Sequence, residues 1–558
     1  MASIGLMTTA RRWVENLLDP LASRRALAAA AIVVVALCAF LPGLATIPPV
    51  DRDEPRFAET ARRMATGGPL ADGRFDTRSA IDMPIGTVWI AALAAATVGG
   101  DPPPLWAYRL PSLLFAVAAA LLTWWTALAF GRPRAALLAG LFVAANLILA
   151  GEARVARADA AILAAILVAE GALARLWLGT PEAMRRQRPL AVLFWGAIGL
   201  GTLLGGPAPA LAVGMTVAVL LATGPDRSFA RRLGALWGLP LAILLAAPLA
   251  LPLAAGHGGP GLGGIFSPGD GLTRPLPPGT YGLLFFALAW PAASFFVLGV
   301  PWMLERLRQP AIHFAAAWGI PWWLMAELIS PKLAPYILPA IPAVALLAAT
   351  AVDRGQISVT GRLRLFFSLG PLLLALLLAV GGPLVLVFAG DAFPVAAMPA
   401  LLVGAAMAAV AWMWLRDGAV VAAAGLAVAV AIPLFAGAFG FLLPAFSRLD
   451  TARSVMAIVE ARTASASPRF AVAGFPEPAL TFLAEGRTRL TDGAGAAIFL
   501  ANTPVCRLAV VENRQLSSFR QKAEDLGIDV ETVGRVPGIA LRVGRRVTLQ
   551  VFRLEPAP

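Results

Sequence analysis

The sequence predicts a polytopic, mostly α-helical membrane protein with a small α/β domain at its carboxyl end. Of the 558 residues, 59% are hydrophobic and only 14% are charged, whereas soluble globular chains carry about 25% charged residues. The apolar residues form long runs separated by short arginine-bearing loops, a pattern typical of multi-spanning membrane proteins. From about residue 447 the charge content becomes ordinary and the apolar runs shorten to strand length, which predicts the separate domain.

The net charge of +13 comes from 45 basic and 32 acidic residues, and the excess lies mostly in short loops between apolar runs. Membrane topology and anionic headgroups account for such arginines, so we predict no nucleic-acid partner. Two cysteines, Cys38 and Cys506, lie near opposite ends of the chain, and there are only two histidines. This usage indicates neither a disulfide framework nor a metal centre built on cysteine or histidine.

The first apolar run, 26–45, follows four arginines and is predicted to be an uncleaved anchor with a cytoplasmic N-terminus. Twelve further runs have spanning or near-spanning length: 107–130, 135–150, 160–178, 190–204, 207–223, 235–255, 281–304, 311–328, 333–351, 365–389, 397–415 and 419–445.

The run 84–100 decides the topology, because its 17 residues lie at the lower limit for a span. If this run lies in the membrane interface, the arginine-rich loops share the side of the N-terminus; if it spans, they all face the other side. The positive-inside rule favours the first arrangement, which has about thirteen spans. We therefore predict a membrane domain of residues 1–446, with its first loop (47–106) on the periplasmic side. A domain of residues 447–558 is expected on the same side.

Within the C-terminal domain, three apolar runs predict strands and two patterns predict short helices. The strands are expected at 470–474, 508–511 and 548–552. The helices are expected at 478–485 and 517–526.

The first outer loop is densely charged over residues 51–64, which read D-R-D-E-P-R-F-A-E-T-A-R-R-M. Asp53 can cap a helix in which Pro55 is tolerated, because the first turn leaves its missing N–H unpaired anyway. One apolar stripe follows at positions i, i+4 and i+7, formed by Phe57, Ala61 and Met64. We predict an amphipathic helix on the outer membrane face. The alternative is structural: Asp53 is only a cap, and the arginines only contact headgroups.

Two further charged clusters are expected on the same side. Residues 152–159 read E-A-R-V-A-R-A-D between the third and fourth spans, and 330–336 read S-P-K-L-A-P-Y between the ninth and tenth. Charges at the membrane edge are costly and are functional candidates by default, although 152–159 can also be a solvated turn. Acidic and basic groups converging on one membrane face suit an anionic lipid headgroup and a proton acceptor.

These residues resemble the motifs of bacterial GT-C glycosyltransferases. The similar segments are 51–59 (D-R-D-E-P-R-F-A-E), 156–160 (A-R-A-D-A) and 331–339 (P-K-L-A-P-Y-I-L-P). They are most similar to the aminoarabinose transferases that modify lipid A and to the protein O-mannosyltransferase-like group (glycosyltransferase family 39/83-like). The resemblance covers the membrane region in order, with a C-terminal domain outside the membrane.

The resemblance implies a GT-C fold in the bacterial inner membrane and a hexosyl or pentosyl glycosyltransferase (EC 2.4 type). The donor would be a sugar on polyprenyl phosphate, and the acceptor a periplasmic lipid A, glycan, lipid or protein. By position, Asp53 and Asp159 match the catalytic aspartates, and Lys332 matches a lysine that meets the lipid phosphate. Membrane lipids are the other expected partners. No cofactor is required, although a divalent metal near Asp53 and Asp159 stays open.

Two departures from the family pattern concern lysines. The chain reads I-D-M-P at 81–84 where relatives carry F-D-K-P, and L-G-G-P at 204–207 where they carry T-K-G-P. Both lysines are absent, at the positions of Met83 and Gly205. Arginines can substitute, since guanidinium groups bind phosphate bidentately. The predicted substrate-binding residues are therefore Glu54, Arg56, Arg78, Arg154, Arg157, Lys332 and Tyr336, with Arg274 as a further candidate.

The favoured function is an active glycosyltransferase in which Asp53 takes the acceptor proton. The missing lysines keep a second hypothesis open: a catalytically degenerate lipid-binding or scaffold protein with the same fold. A transporter is the third alternative. It predicts inverted repeats and polar residues at the bilayer midplane, whereas the centres of the predicted spans are almost entirely apolar.

Overall fold

The computed structural model describes residues 2–49, 53–70, 84–179, 184–224, 226–251, 276–447, 450–462, 469–485, 487–502, 507–540 and 545–554. Three residues discussed above, Arg78, Met83 and Arg274, lie outside these ranges.

A bundle of apolar helices makes up most of the described chain. Seven of its helices are long and apolar enough to cross a membrane: Leu105–Leu128, Asp159–Leu178, Gln187–Gly205, Ala334–Asp353, Gly370–Ala389, Val395–Arg416 and Val420–Ala445. Six shorter apolar helices accompany them: Arg25–Phe40, Ile85–Val98, Pro133–Ala144, Ala208–Thr223, Ala235–Ala250 and Ala293–Leu304. The chain is a multi-pass membrane protein, and its number of crossings and its orientation stay predictions.

The remaining helices of this region are less apolar or short. Pro310–Leu328 coincides with the ninth predicted span. An N-terminal helix, Ala2–Ser23, precedes the first apolar helix and is not predicted by the hydropathy pattern. Short segments complete the set: Leu147–Glu152, Phe229–Leu233, Thr280–Leu283, Phe285–Leu288 and Arg362–Ser368.

Small residues allow the helices to approach closely. In Pro133–Ala144, every residue from Ala135 onward is buried. A Cβ added at Gly140 would lie 2.8 Å from Cδ1 of Ile32 and 2.9 Å from Cβ of Trp124. Interfaces rich in glycine and alanine are the usual solution for helix packing in lipid, where apolar surface alone provides little association energy.

The third predicted span is broken at Asn146, between Pro133–Ala144 and Leu147–Glu152. The Asn146 side-chain oxygen accepts a bond from the Leu149 N–H at 3.0 Å and caps the second helix. Its amide nitrogen donates to the carbonyls of Leu288 and Trp290 at 2.8 and 3.0 Å. One buried amide thus satisfies a backbone N–H just after the break and two carbonyls of a neighbouring segment, which a purely apolar residue cannot do.

Two helices lie in the part of the first loop that the structure describes. The predicted amphipathic helix is confirmed at Asp53–Ala65, and Gly67 follows it in the left-handed region with φ +94°. Its apolar stripe is buried against Ile85–Val98, so the stripe packs on protein. The second helix has 14 residues, fewer than the about 20 that a span needs.

The C-terminal region is a five-stranded mixed sheet with helices. Its strands are β1 (Phe470–Ala473), β2 (Thr488–Thr491), β3 (Leu508–Glu512), β4 (Val530–Ala540) and β5 (Arg545–Leu554). The order is β2-β1-β3-β5-β4, parallel among the first three and antiparallel for the pairs of β5 with β3 and β4. Its α-helices are Thr451–Arg462, Pro478–Leu483, Gly493–Ala501 and Leu516–Asp525.

The three predicted strands and two predicted helices of this region are confirmed, and β2 and β4 are additional. The edge strand β2 is half-exposed rather than apolar, and β4 contains glycine and proline. The helix Pro478–Leu483 packs on the first-loop helix Asp53–Ala65. There Phe482 meets the ring of Tyr108 edge-on, with centroids 6.1 Å apart, so the sheet domain is docked on the first loop.

Candidate active site

A cavity of about 230 Å³ lies beside Pro84, at the start of the helix Ile85–Val98. Among the residues that the structure describes, its charged lining groups are Arg157 and Asp159, and Tyr336 adds a phenol. The rest of the lining is mostly apolar and includes Pro84, Ile162, Trp322 and Met325. The Tyr336 hydroxyl interacts electrostatically with Asp159, Arg157 and Asp53. The structure therefore brings together one residue or more from each of the three predicted clusters.

Both predicted catalytic aspartates begin a helix. Asp53 is the first residue of Asp53–Ala65 and is exposed. Asp159 is the first residue of Asp159–Leu178 and has a side chain that is 19% exposed. A carboxylate in the first turn of a helix interacts favourably with the helix dipole. Asp159 lines the cavity, whereas Asp53 does not line it and interacts electrostatically with Tyr336 at its wall.

Arg157 accompanies Asp159 at the cavity wall. Its Nε lies 3.3 Å from Oδ2 of Asp159, and its side chain is 21% exposed. The backbone of Arg157 is held by Ser112, whose hydroxyl donates to the Arg157 carbonyl at 3.0 Å and accepts from its N–H at 3.3 Å. Ser112 was not predicted from the sequence, because a single serine in an apolar run gives no functional signal.

Glu54, the neighbour of Asp53, is fully engaged in a buried ion pair. Arg109 donates to its two carboxylate oxygens at 2.7 and 2.9 Å, and both side chains are 1% exposed. Oε1 also accepts the N–H of Ala156 at 2.9 Å. All of these contacts are to protein groups, and Glu54 does not line the cavity. Arg109 was missed by the sequence reasoning, although a lone arginine in a predicted span is a recognised signal.

Arg154 is equally buried and binds backbone. Its guanidinium donates to the carbonyl of Pro42 at 2.6 Å and to those of Ala39 and Ala150. It also lies over the ring of Phe439, 4.1 Å from the centroid. The Ala39 and Pro42 carbonyls terminate the first apolar helix, where a cation is favoured by the helix dipole. Arg154 therefore caps a helix end.

Lys332 turns away from the cavity. Its side chain is 2% exposed, and its ammonium lies 3.9 Å from the Glu327 carboxylate. It donates to the carbonyls of Ala326, at 3.0 Å, and of Glu327. Glu327 in turn accepts the N–H groups of Gly279 and Gly282, each at 2.9 Å. Lys332 thus belongs to a buried polar cluster, and Glu327 is its unpredicted partner.

Two predicted substrate-binding residues remain, both in the first loop. Arg56 is half-buried on the first-loop helix, and Arg78 lies outside the described residues. At one of the two missing lysine positions, Gly205 lines the cavity. A Cβ there would lie 2.0 Å from Cγ1 of Ile162, so Ile162 occupies the space into which a longer side chain would extend.

The described residues contain no group of three or more His, Cys, Asp or Glu side chains that could hold a metal. This finding does not test the expectation that no cofactor is required.

Helix bundle, first-loop helices and docked sheet domain together define a membrane protein with the GT-C fold, as the motif resemblance predicts. Among solved structures, the chain is similar to ArnT from Cupriavidus metallidurans, both in the apo state and bound to undecaprenyl phosphate. In each case the TM-score is 0.71 at 19% identity, covering 93% of this chain and 97% of that chain. This likeness establishes the fold alone.

Other comparisons are weaker. The oligosaccharyltransferase of Archaeoglobus fulgidus has a TM-score of 0.49 at 12% identity, over 90% of this chain and 69% of that chain, and supports no argument. No model of a known protein family matches the chain, and no curated protein matches it in sequence.

Proposed function

We propose that the protein is a membrane glycosyltransferase that moves a sugar from a polyprenyl-phosphate donor to an acceptor. The observation that carries the proposal is the cavity where Arg157, Asp159 and Tyr336 meet within electrostatic range of Asp53. This cavity belongs to a chain with the fold of ArnT, which has been solved with undecaprenyl phosphate. It offers a cation for the departing phosphate and a carboxylate for the acceptor proton, the two groups that glycosyl transfer requires.

Arg157 is the proposed phosphate-binding residue. It lines the cavity, and Asp159 at 3.3 Å holds its guanidinium in place. Guanidinium groups bind phosphate bidentately and stabilise the charge that develops on the leaving group. Lys332, Arg154 and Glu54 are proposed to be structural, because their charges are satisfied by buried partners. Arg56 and Arg78, both in the first loop, are proposed to assist Arg157 from that side.

Asp53 is the proposed base. The acceptor hydroxyl oxygen forms a bond to the anomeric carbon while the bond from that carbon to the phosphate oxygen breaks. The hydroxyl proton passes to the Asp53 carboxylate, and polyprenyl phosphate leaves as the anion. Proton removal by a positioned carboxylate contributes typically about 10²- to 10⁴-fold. Tyr336, which faces the same charges, orients the bound substrate by hydrogen bonding.

The proposed setting is the bacterial inner membrane, with the N-terminus cytoplasmic. The first loop and the domain of residues 447–558 are then periplasmic, where the acceptor is lipid A, another glycan, a lipid or a protein. The placement of arginines in the loops on the N-terminal side supports this orientation.

The test uses the full chain in nanodiscs. Native mass spectrometry measures binding of undecaprenyl phosphate, and a panel of undecaprenyl-phosphate-linked hexoses and pentoses measures transfer to lipid A and other acceptors. We expect binding together with transfer of one sugar. A protein that binds the lipid but transfers none of the sugars is the scaffold alternative, which the filled space beside Gly205 favours. Absence of binding contradicts both.

A further inference from the structure

We infer that the buried pair of Arg109 and Glu54 is a positioning device that fixes the segments bearing Asp53 and Asp159 relative to each other. The inference rests on the proposed function for its catalytic consequence, while its geometric part stands on the contacts themselves. Neither residue lines the cavity, so Arg109 and Glu54 are positioning residues and not catalytic ones.

The hydrogen-bonding capacity of the Arg109 guanidinium is fully used. A guanidinium has five N–H donors. Nε and Nη2 donate to the Glu54 carboxylate at 2.7 and 2.9 Å. Nη1 donates to the carbonyls of Leu44 and Ile47 at 2.7 and 2.8 Å, and Nη2 also donates to that of Pro48 at 3.3 Å. One side chain therefore ties the exit of the first apolar helix to the first-loop helix.

Glu54 also contacts the chain segment that precedes Asp159. Its Oε1 accepts the N–H of Ala156 at 2.9 Å, and Ala156 directly precedes Arg157. Ser112, one helical turn beyond Arg109, holds the backbone of Arg157 at 3.0 and 3.3 Å. A single face of the helix Leu105–Leu128 thus grips both the segment that begins at Asp53 and the segment that ends at Asp159.

The pair of Arg109 and Glu54 is charged although it is buried. Both partners are 1% exposed, and burying two charges is costly even when they are paired, so well-packed apolar residues often replace such a pair without loss of stability. Apolar residues would not reach the Leu44, Ile47 and Ala156 backbone groups with directed bonds. The pair and its bonds join four chain segments beside the cavity, and this directionality is what a positioning role requires.

The experiment measures geometry and turnover separately. Spin labels are placed at Thr66, an exposed residue after the first-loop helix, and at Val155, in a background lacking the native cysteines. Double electron–electron resonance in nanodiscs gives the distance distribution for the parent and for Arg109→Lys, which keeps the charge but has three donors for five bonds. Glu54→Gln is the second variant, and Arg175→Lys is the matched control. Arg175 also donates to backbone carbonyls within the bundle, those of Gly171 and Trp125.

We expect a narrow distribution in the parent and in Arg175→Lys, and a broadened or shifted one in Arg109→Lys and Glu54→Gln. In the unlabelled proteins, kcat should fall by about 10²-fold for both, as displacements near 1 Å can cost. Undecaprenyl phosphate affinity and donor KM should stay within a few-fold of the parent.

An unchanged distance distribution in a folded Arg109→Lys or Glu54→Gln protein overturns the inference. So does a loss confined to donor affinity. A parent protein without any transfer activity contradicts the proposed function, and the distance measurement then still decides whether the pair sets the geometry.

Discussion

Two charged pairs at the same end of the helix bundle are built from the same chemistry and differ in their surroundings. Arg157 and Asp159 lie 3.3 Å apart at the cavity wall, with side chains 21% and 19% exposed. Arg109 and Glu54 lie 2.7 Å apart, and both are 1% exposed. The first pair can exchange solvent for a ligand, whereas the second is already saturated by protein. A charge at the membrane edge therefore indicates a ligand only when its partners leave it accessible.

The pair of Lys332 and Glu327 is a second buried pair whose charges are bonded to protein groups. The lysine is the only one of the membrane region, yet its ammonium caps the end of the helix Pro310–Leu328 and contacts a carboxylate that holds a neighbouring turn. A buried cation with this set of partners holds two chain segments together. The difference between the accessible pair and the two buried ones defines the following experiments.

The largest effect is expected for Asp53→Asn. The amide keeps the shape of the side chain but cannot accept a proton, so transfer should fall by about 10²- to 10⁴-fold while undecaprenyl phosphate still binds. Single-turnover assays in nanodiscs measure the rate, and Asp417→Asn, in an exposed turn after Val395–Arg416, is the control. Transfer at the parent rate would remove Asp53 from the mechanism.

Arg157→Ala is expected to weaken donor binding. Loss of one charge-assisted partner costs about 2–3 kcal/mol, which corresponds to roughly 30- to 150-fold in Kd. Titration with undecaprenyl phosphate by native mass spectrometry checks this. Arg306→Ala, which removes a side chain that is 40% exposed, is the control, and Arg157→Lys should retain part of the affinity. An affinity equal to that of the parent would assign the phosphate to another residue.

Lys332→Ala should act on stability instead. Removing the ammonium leaves the backbone carbonyls of Ala326 and Glu327 without this donor and the Glu327 carboxylate without its counter-charge. The cost is about 1–3 kcal/mol, so the thermal midpoint should drop. Undecaprenyl phosphate affinity should change less than 3-fold, on the order of 0.6 kcal/mol. A strong loss of affinity with an unchanged midpoint would instead support the phosphate role that the motif resemblance implies.

The smallest effect is expected for Phe482→Ala, at the contact between the sheet domain and the first loop. Phe482 is buried in one apolar cluster with Phe57, Ala61 and Tyr108, so its truncation should loosen the first-loop helix and lower transfer several-fold. Hydrogen exchange over residues 53–65 should increase in this variant. It should stay unchanged in Leu490→Ala, which alters an exposed position on the edge strand β2. Unchanged hydrogen exchange in both variants would show that the sheet domain does not stabilise the first-loop helix at the site.

The sequence predicts the fold well because lipid imposes long apolar runs, and because β1, β3 and β5 have buried apolar residues at strand length. It does not predict the edge strand β2, whose residues are half-exposed. The sequence also predicts that Asp53, Arg157 and Asp159 lie near one another, because the loops that contain them are predicted on the same membrane face.

The residue with which each buried charge pairs could not be predicted from the sequence in the same way. Arg109 and Glu54 are 55 positions apart, and no periodicity connects a charge in a helix with one in a loop. Glu54, Arg154 and Lys332 are charged residue types that commonly bind substrates. Only the packing around them reveals that their donors and acceptors are satisfied by protein groups. Ile162 beside Gly205 is a further packing fact that no motif contains.

We propose that the accessible pair of Arg157 and Asp159, and not the buried Lys332, receives the lipid phosphate. A cryo-electron microscopy structure of the protein in nanodiscs with undecaprenyl phosphate tests it most directly. We predict the phosphate in the cavity beside Tyr336, with an oxygen about 2.7–2.9 Å from the Arg157 guanidinium, and Lys332 still on the Ala326 carbonyl. A phosphate bound to Lys332, with Glu327 displaced and Arg157 remote, would contradict the account.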